Sequence, residues 1–361
     1  MVCIAAFLAL LVLSAISAKY RVLLKKAWYC VTRRVTFRPC DTTFGEDIKA
    51  SLLAPLALRA PSWVKPAAAA ITVFAWLMVI STVVSLYVLV RSGLNLAVYG
   101  TCNKQNSEAC SLAAASCAIG VEHPTFTQSL FSGDVIGAFR NEFTEMADTI
   151  ATIPSRFRDW EPTNYVAPYA SYKNGYNPAL PTALDVIDPG CVICAQLFRN
   201  IGESGLSDNV NLTYLLYPIL QDDGTPKFPY SIKIAHLLTA IRIYEYDRDG
   251  GTVASPTDWR LLEKIFVGTR PGTEVTNQLW LNEFASPEVA DAALRDWLTE
   301  FGYTPAQINA VFELAESDEV AQIVADGRVV VRDEIRTVTI PTLITEGRMF
   351  RGLATVDQLA P

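Results

Sequence analysis

Histidine is nearly missing from this chain: His123 and His236 are the two in 361 residues. That scarcity removes the imidazoles that would complete a zinc site, and it leaves thiol chemistry without a histidine partner. A second Cys-x-x-Cys is lacking too, because Cys191 and Cys194, in DVIDPGCVICAQLFRN, are the one pair of cysteines at that spacing. Half a zinc ribbon with no other half predicts no metal, and nothing in the sequence asks for a cofactor. A surplus of positive charge is also absent. The net charge of -7 argues against nucleic acid as a partner.

What the chain has in quantity is apolar surface, 51% of its residues, and the excess is local. Residues 67–90 run without a charge, enough to cross a hydrocarbon core of roughly 30 Å at about 1.5 Å per residue. They predict a transmembrane helix. Residues 2–18 form a second apolar stretch at the short limit for a span, readable also as the core of a secretory signal. A signal places its positive charges before the apolar run, whereas Lys19, Arg21, Lys25 and Lys26 follow it, which favours a first span over residues 1–18. Between the two stretches, residues 19–66 carry ten Lys or Arg against three acids. The positive-inside bias puts this loop in the cytoplasm, against anionic lipid, and everything after residue 90 outside.

That topology divides the eight cysteines. Cys30 and Cys40 fall inside and are expected as thiols; Cys102, Cys110, Cys117, Cys191 and Cys194 fall in an oxidising space, and Cys3 near its edge. Cys110 and Cys117 lie seven apart on an Ala-rich stretch that reads as helical. Two helical turns separate their Cα atoms by about 10 Å, so a disulfide here joins Cys102 to one of them and leaves one thiol over. These three are either a staple with a bystander or auxiliary thiols that exchange electrons with Cys191 and Cys194.

Residues 125–160 show apolar positions at three- and four-residue spacing, predicting one or two amphipathic helices. A Pro-, Asn- and Tyr-rich stretch then reads as loop or linker, so 91–180 is expected as an extracytoplasmic helical and linker region and 181–361 as a domain. In that domain TALDVI, a helix opened by the cysteine motif, and NVNLTYLLYPIL form a βαβ unit with parallel strands. Helical periodicity dominates 230–327, with N-caps at Thr304 and Ser317, and the end returns to strands around a Glu346-Gly347 turn, closed by a short helix.

A Cys-x-x-Cys at a strand-to-helix junction has a physical use. Free backbone N–H groups and the helix dipole stabilise the thiolate of the first cysteine, and the second, one turn on, resolves a mixed disulfide. This predicts an exposed Cys191 with a lowered pKa.

Together these elements resemble the DsbA-like branch of the thioredoxin superfamily. The resemblance is carried by Cys191-Val-Ile-Cys194 as the redox motif, Ile340-Pro341-Thr342 as a cis-proline segment followed by the terminal hairpin, and Asp185 six residues before Cys191. It implies an α/β thioredoxin-like fold with a helical insertion, preceded by one or two transmembrane helices and a helical and loop linker. It further implies that Pro341 is cis and faces the disulfide, that Ile340 offers backbone groups to an extended substrate, and that Asp185 is a buried acid beneath Cys194. Two features depart from the pattern: Val192-Ile193 supplies no histidine between the cysteines, and Pro189-Gly190 stands where thioredoxin carries Trp.

The function expected is a membrane-anchored, extracytoplasmic protein thiol-disulfide oxidoreductase. A client thiolate attacks Cys191, Cys194 leaves, and Asp185 helps to protonate it. Partners are client proteins, the lipid bilayer and a separate redox partner, since two spans cannot build the helix bundle of a quinone-coupled disulfide generator. The competing reading is a non-enzymatic assembly subunit of a membrane complex, with a structural disulfide and the Tyr-rich segment 165–176 as its contact.

Overall fold

The computed structural model describes residues 43–361 apart from 105–109, 111, 113–114, 120–124, 222, 251–253 and 361, with a few isolated positions before residue 43. The first apolar stretch (Phe7 apart), Cys3, Cys30, Cys40 and His123 lie outside the described residues. The chain divides into two compact units, Met1–Val90 and Arg91–Pro361.

In the first unit, helix α1 (Thr43–Arg59) is followed by a 3-10 turn (Pro61–Trp63) and by α2 (Val64–Tyr99), which runs past the unit boundary. Pro61–Tyr99 is long and apolar enough to cross a membrane, and it contains the predicted span 67–90. Its large apolar side chains, such as Phe74, Leu77, Leu86 and Leu89, are exposed, where a soluble core helix would bury such a face.

The second unit begins with two helices, α3 (Phe126–Phe131) and α4 (Val135–Thr152), where the periodicity predicts them. Each has a polar start: the Thr125 hydroxyl accepts from Gln128 N, and the Asp134 carboxylate from Gly137 N, which satisfies donors that a helix leaves free. Arg91 pairs with Glu142 and Glu145 of α4 at 3.0 and 2.6 Å. The Tyr-rich segment has no strand or long helix, but it is packed. Lys173 N donates to Leu212 O, and the Asn211 side chain bonds the backbone at Asn177 and Leu180.

The central sheet has strand order β3-β2-β5-β6, with β2 Thr182–Ile187, β3 Asn211–Leu216, β5 Thr342–Thr345 and β6 Arg348–Arg351. β2 and β3 are parallel and the other pairs antiparallel, which is the thioredoxin-like arrangement expected from the sequence. Both β2 and β3 are buried almost throughout, their polar members Asp185, Asn211 and Thr213 included. The crossover between them is α5 (Val192–Ser204), followed by a single turn, α6 (Leu206–Asn209). α5 buries Cys194, Ala195, Leu197, Phe198 and Ile201, the three- and four-residue spacing of one helix face, each large apolar side chain contributing about 1.5–3 kcal/mol. It ends at Gly205, whose φ of 73° is left-handed and open to glycine without strain.

Six helices form the insertion: α7 (Ser231–Asp249), α8 (Thr257–Phe266), α9 (Asn277–Glu283), α10 (Pro287–Glu300), α11 (Pro305–Ala315) and α12 (Asp318–Val329). Thr304 and Ser317 are the N-caps of α11 and α12. Arg242 of α7 meets Asp258 of α8 at 3.0 Å with neither side chain exposed, and Tyr214 of β3 donates to the same carboxylate at 2.7 Å. A buried charge is tolerable only when paired and hydrogen-bonded, and this group ties sheet to insertion. A short helix, α13 (Val356–Leu359), closes the chain.

One element was not foreseen. Cys117–Ala118 forms a strand, β1, pairing antiparallel with β4 (Thr339–Ile340), with Cys117 opposite Ile340 and Ala118 opposite Thr339. The alanine-rich run predicts a helix at Cys117 from propensity. A free backbone edge at β4 outweighs that weak preference.

Candidate active site

The site grows from the end of β2. After Ile187 the chain turns through Asp188-Pro189-Gly190, and Cys191 is the N-cap of α5, its N–H donating to Asp188 O at 3.0 Å. The fully buried Asp188 carboxylate organises the turn. Oδ1 accepts from Gly190 N at 2.7 Å and Ser231 Oγ at 2.6 Å, and Oδ2 accepts from Ile219 N at 2.7 Å. Burial pushes Asp188 up to about 6, against the pull of these three bonds and of Lys227. The aspartate-to-Gly190 bond spans two residues, as in an Asx turn. An Asp ahead of Pro-Gly is the sequence signal that marks it.

Three carbonyls of the turn are held from the insertion. Gln278 Nε2 donates to Pro189 O at 2.8 Å and Cys191 O at 3.1 Å, and Asn282 Nδ2 donates to Gly190 O at 2.8 Å. No local pattern in the sequence marks these two α9 side chains. Gly190 lies so close to Phe228 that a Cβ there would meet the Phe228 Cβ at 2.3 Å, which explains a glycine where a larger residue precedes the motif elsewhere.

The Ile340-Pro341 peptide is cis. Hydroxyls brace it: Thr342 Oγ1 donates to Thr339 O at 2.7 Å and lies 2.8 Å from Thr337 Oγ1. Pro341 O accepts from Gly352 N at 2.8 Å.

The structure brings three cysteines together. Cys191 is in side-chain hydrogen-bond contact with both Cys194 and Cys117, and all three are thiols. Cys117 arrives on β1, opposite Ile340, so the edge expected to be open to a substrate is occupied by the chain's own segment. Cys102 and Cys110 form a disulfide elsewhere, with Cα atoms 5.6 Å apart. They are not part of the cluster.

Two expectations about Cys191 are overturned. It is completely buried, although Val192 beside it is half exposed. Its pKa is raised, because desolvation outweighs the helix N-terminus. Cys117 is pushed up by its hydrogen bond to Cys191 and by burial. Cys194 rises to about 11, from burial and then from the neighbouring Asp185, while its contact with Cys191 acts the other way. Asp185, in the middle of β2, is buried, is held well above the usual carboxylate range by desolvation, and leaves Oδ1 without a hydrogen-bond partner.

A parallel βαβ unit with a dithiol opening its helix, a helical insertion, and an antiparallel hairpin entered through a cis-proline together make up a thioredoxin-like fold. Solved structures similar to this chain include a thioredoxin-like oxidoreductase from Silicibacter pomeroyi, 20% identical, TM-score 0.34, covering 53% of this chain and 88% of that one. The thiol-disulfide exchange protein alpha-DsbA2 from Wolbachia pipientis is 19% identical, TM-score 0.35, with coverage of 53% and 83%. MdbA, a thiol-disulfide oxidoreductase from Corynebacterium matruchotii, is 14% identical, TM-score 0.35, with coverage of 53% and 91%. No family model and no curated protein matches the chain.

Proposed function

We propose that this chain is a membrane-anchored, extracytoplasmic thiol-disulfide oxidoreductase that exchanges disulfides with client proteins through Cys191-Val-Ile-Cys194. The observation that carries the reading is the contact between Cys191 and Cys194 thiols on the first turn of α5, together with a cis Ile340-Pro341 peptide. In the oxidising direction a client thiolate attacks Sγ of Cys191 in the Cys191-Cys194 disulfide. The client-Cys191 bond forms, the Cys191-Cys194 bond breaks, and Cys194 departs as a thiolate. Burial holds Asp185 well above the usual carboxylate range, and it is the nearby acid that returns a proton to Cys194. A second client thiol then releases the product. Ile340 backbone groups pair with the extended client segment once β1 withdraws from them.

A second reading is favoured by one observation, the complete burial of Cys191 and Cys194. A dithiol closed to solvent suits a structural disulfide in an assembly subunit. Turnover separates the two. Full-length protein in detergent is expected to accelerate insulin reduction by dithiothreitol, and Cys191→Ser to abolish the acceleration. Absence of turnover in the wild-type protein, in both this assay and oxidative refolding, would leave the assembly reading standing.

A further inference from the structure

The segment 115–119 reaches into the site. Cys117 and Ala118 pair with Ile340 and Thr339, Ile119 N donates to Val338 O at 3.0 Å, and Leu353 N donates to Ala115 O at 2.7 Å. The attachment is a two-residue strand whose Cys117 is buried with its neighbours Ser116 and Ile119. It lies against the cis-proline edge and delivers a cysteine to Cys191. Cys191 is the middle of the array, in side-chain hydrogen-bond contact with both Cys117 and Cys194.

We propose that Cys117 is a third redox cysteine, an exchange partner carried within the chain that competes with Cys194 for Cys191. The proposal rests on the exchange reaction assigned above to Cys191. Starting from the Cys191-Cys194 disulfide, the Cys117 thiolate attacks Sγ of Cys191. The Cys117-Cys191 bond forms, the Cys191-Cys194 bond breaks, and Cys194 leaves as a thiolate that takes up the proton Cys117 gave away. One disulfide and one thiol exist before and after, so the step needs no oxidant; the disulfide itself enters from a client or partner protein disulfide. Cys117 thus occupies both places that a client uses, the strand-pairing edge at Ile340 and the sulfur of Cys191. A client must displace it, and in leaving, a client disulfide is replaced by one inside the chain.

The test is disulfide mapping on the full-length protein in detergent, poised in glutathione redox buffer, acid-quenched, alkylated and digested without reduction. In the wild-type protein we expect both Cys191-Cys194 and Cys117-Cys191 peptides. In Cys194→Ser, the held thiol should outcompete about 1 mM glutathione for Cys191 by roughly tenfold, because contact gives it a high effective concentration. The proposal is overturned if Cys194→Ser yields Cys191 joined to glutathione with Cys117 free, or if the wild type forms Cys191-Cys194 alone at every poise. Neither result touches the insulin assay, and a Cys117-Cys191 bond in a protein that turns over no client would sink the function while leaving this bond intact.

Discussion

Asp188 shows how much one buried carboxylate can fix. Its three donors come from the motif turn, from the segment after β3 and from the first residue of α7. Asp188→Ala strands all three donors in a dry environment, at about 1–3 kcal/mol each before relaxation, so urea unfolding should show a loss of several kcal/mol. The pH dependence has a definite sign. A carboxyl raised to about 6 in the folded chain, against about 3.9 when unfolded, contributes stability that is complete below the lower value and disappears as pH rises through the upper one. The alanine variant lacks that decline, so the gap between the proteins should be widest near pH 4 and narrower by pH 7. At this scale the sequence is legible where chemistry is local. Cys191 and Cys194 are recognisable from their immediate neighbours and the Ile340-Pro341 step from its resemblance to the thioredoxin-like cis-proline segment, but Asp188 acquires its role from Ile219 and Ser231, which are distant along the chain. The raised Cys191 pKa was illegible for the same reason: the burial that raises it is a property of the folded chain.

Among the elements, α9 is the one whose contribution to the site could not be anticipated. Its helical character follows from the Thr276 cap, which accepts from Leu279 N, but its direction follows from how the insertion packs. The consequence is that Gln278 and Asn282 occupy the three carbonyls around the first cysteine. Replacing both by alanine leaves those carbonyls unsatisfied where buried, an expected cost of about 1–3 kcal/mol for each residue. It should also loosen the turn. The rate of Cys191 alkylation by iodoacetamide in the reduced protein should rise about tenfold, corresponding to about 1.4 kcal/mol less protection of the closed state. An unchanged alkylation rate would show that the insertion merely rests against the motif. The regular helices and the βαβ strands were legible because their periodicity is a property of ten or so consecutive residues. β1 was not, because two residues carry no period and their strand conformation is supplied by β4.

The whole chain is asymmetric in charge, and the asymmetry bears on which side of a membrane the thiols face. Ten Lys or Arg against three acids precede residue 91, and twenty against thirty-four lie from Arg91 onward. Helix α2, at 36 residues and about 1.5 Å each, is about 54 Å long, well over the roughly 30 Å of a hydrocarbon core. The uncharged stretch 67–90 is long enough to fill such a core, and Arg91, which follows it, is paired to Glu142 and Glu145. Short loops rich in Lys and Arg resist translocation, whereas acidic domains are carried across with little hindrance, so the body bearing Cys117, Cys191 and Cys194 is expected outside the cytoplasm. Alkaline phosphatase, which folds only in an oxidising space, reads this directly in a bacterial host. Fused after residue 361 it should be active, and fused after residue 45, within the basic loop, it should be inactive, with both fusions resisting alkaline carbonate extraction from membranes. The reverse pattern would place the three thiols in a reducing compartment, where the disulfide exchange proposed for Cys191 would have to run towards reduction.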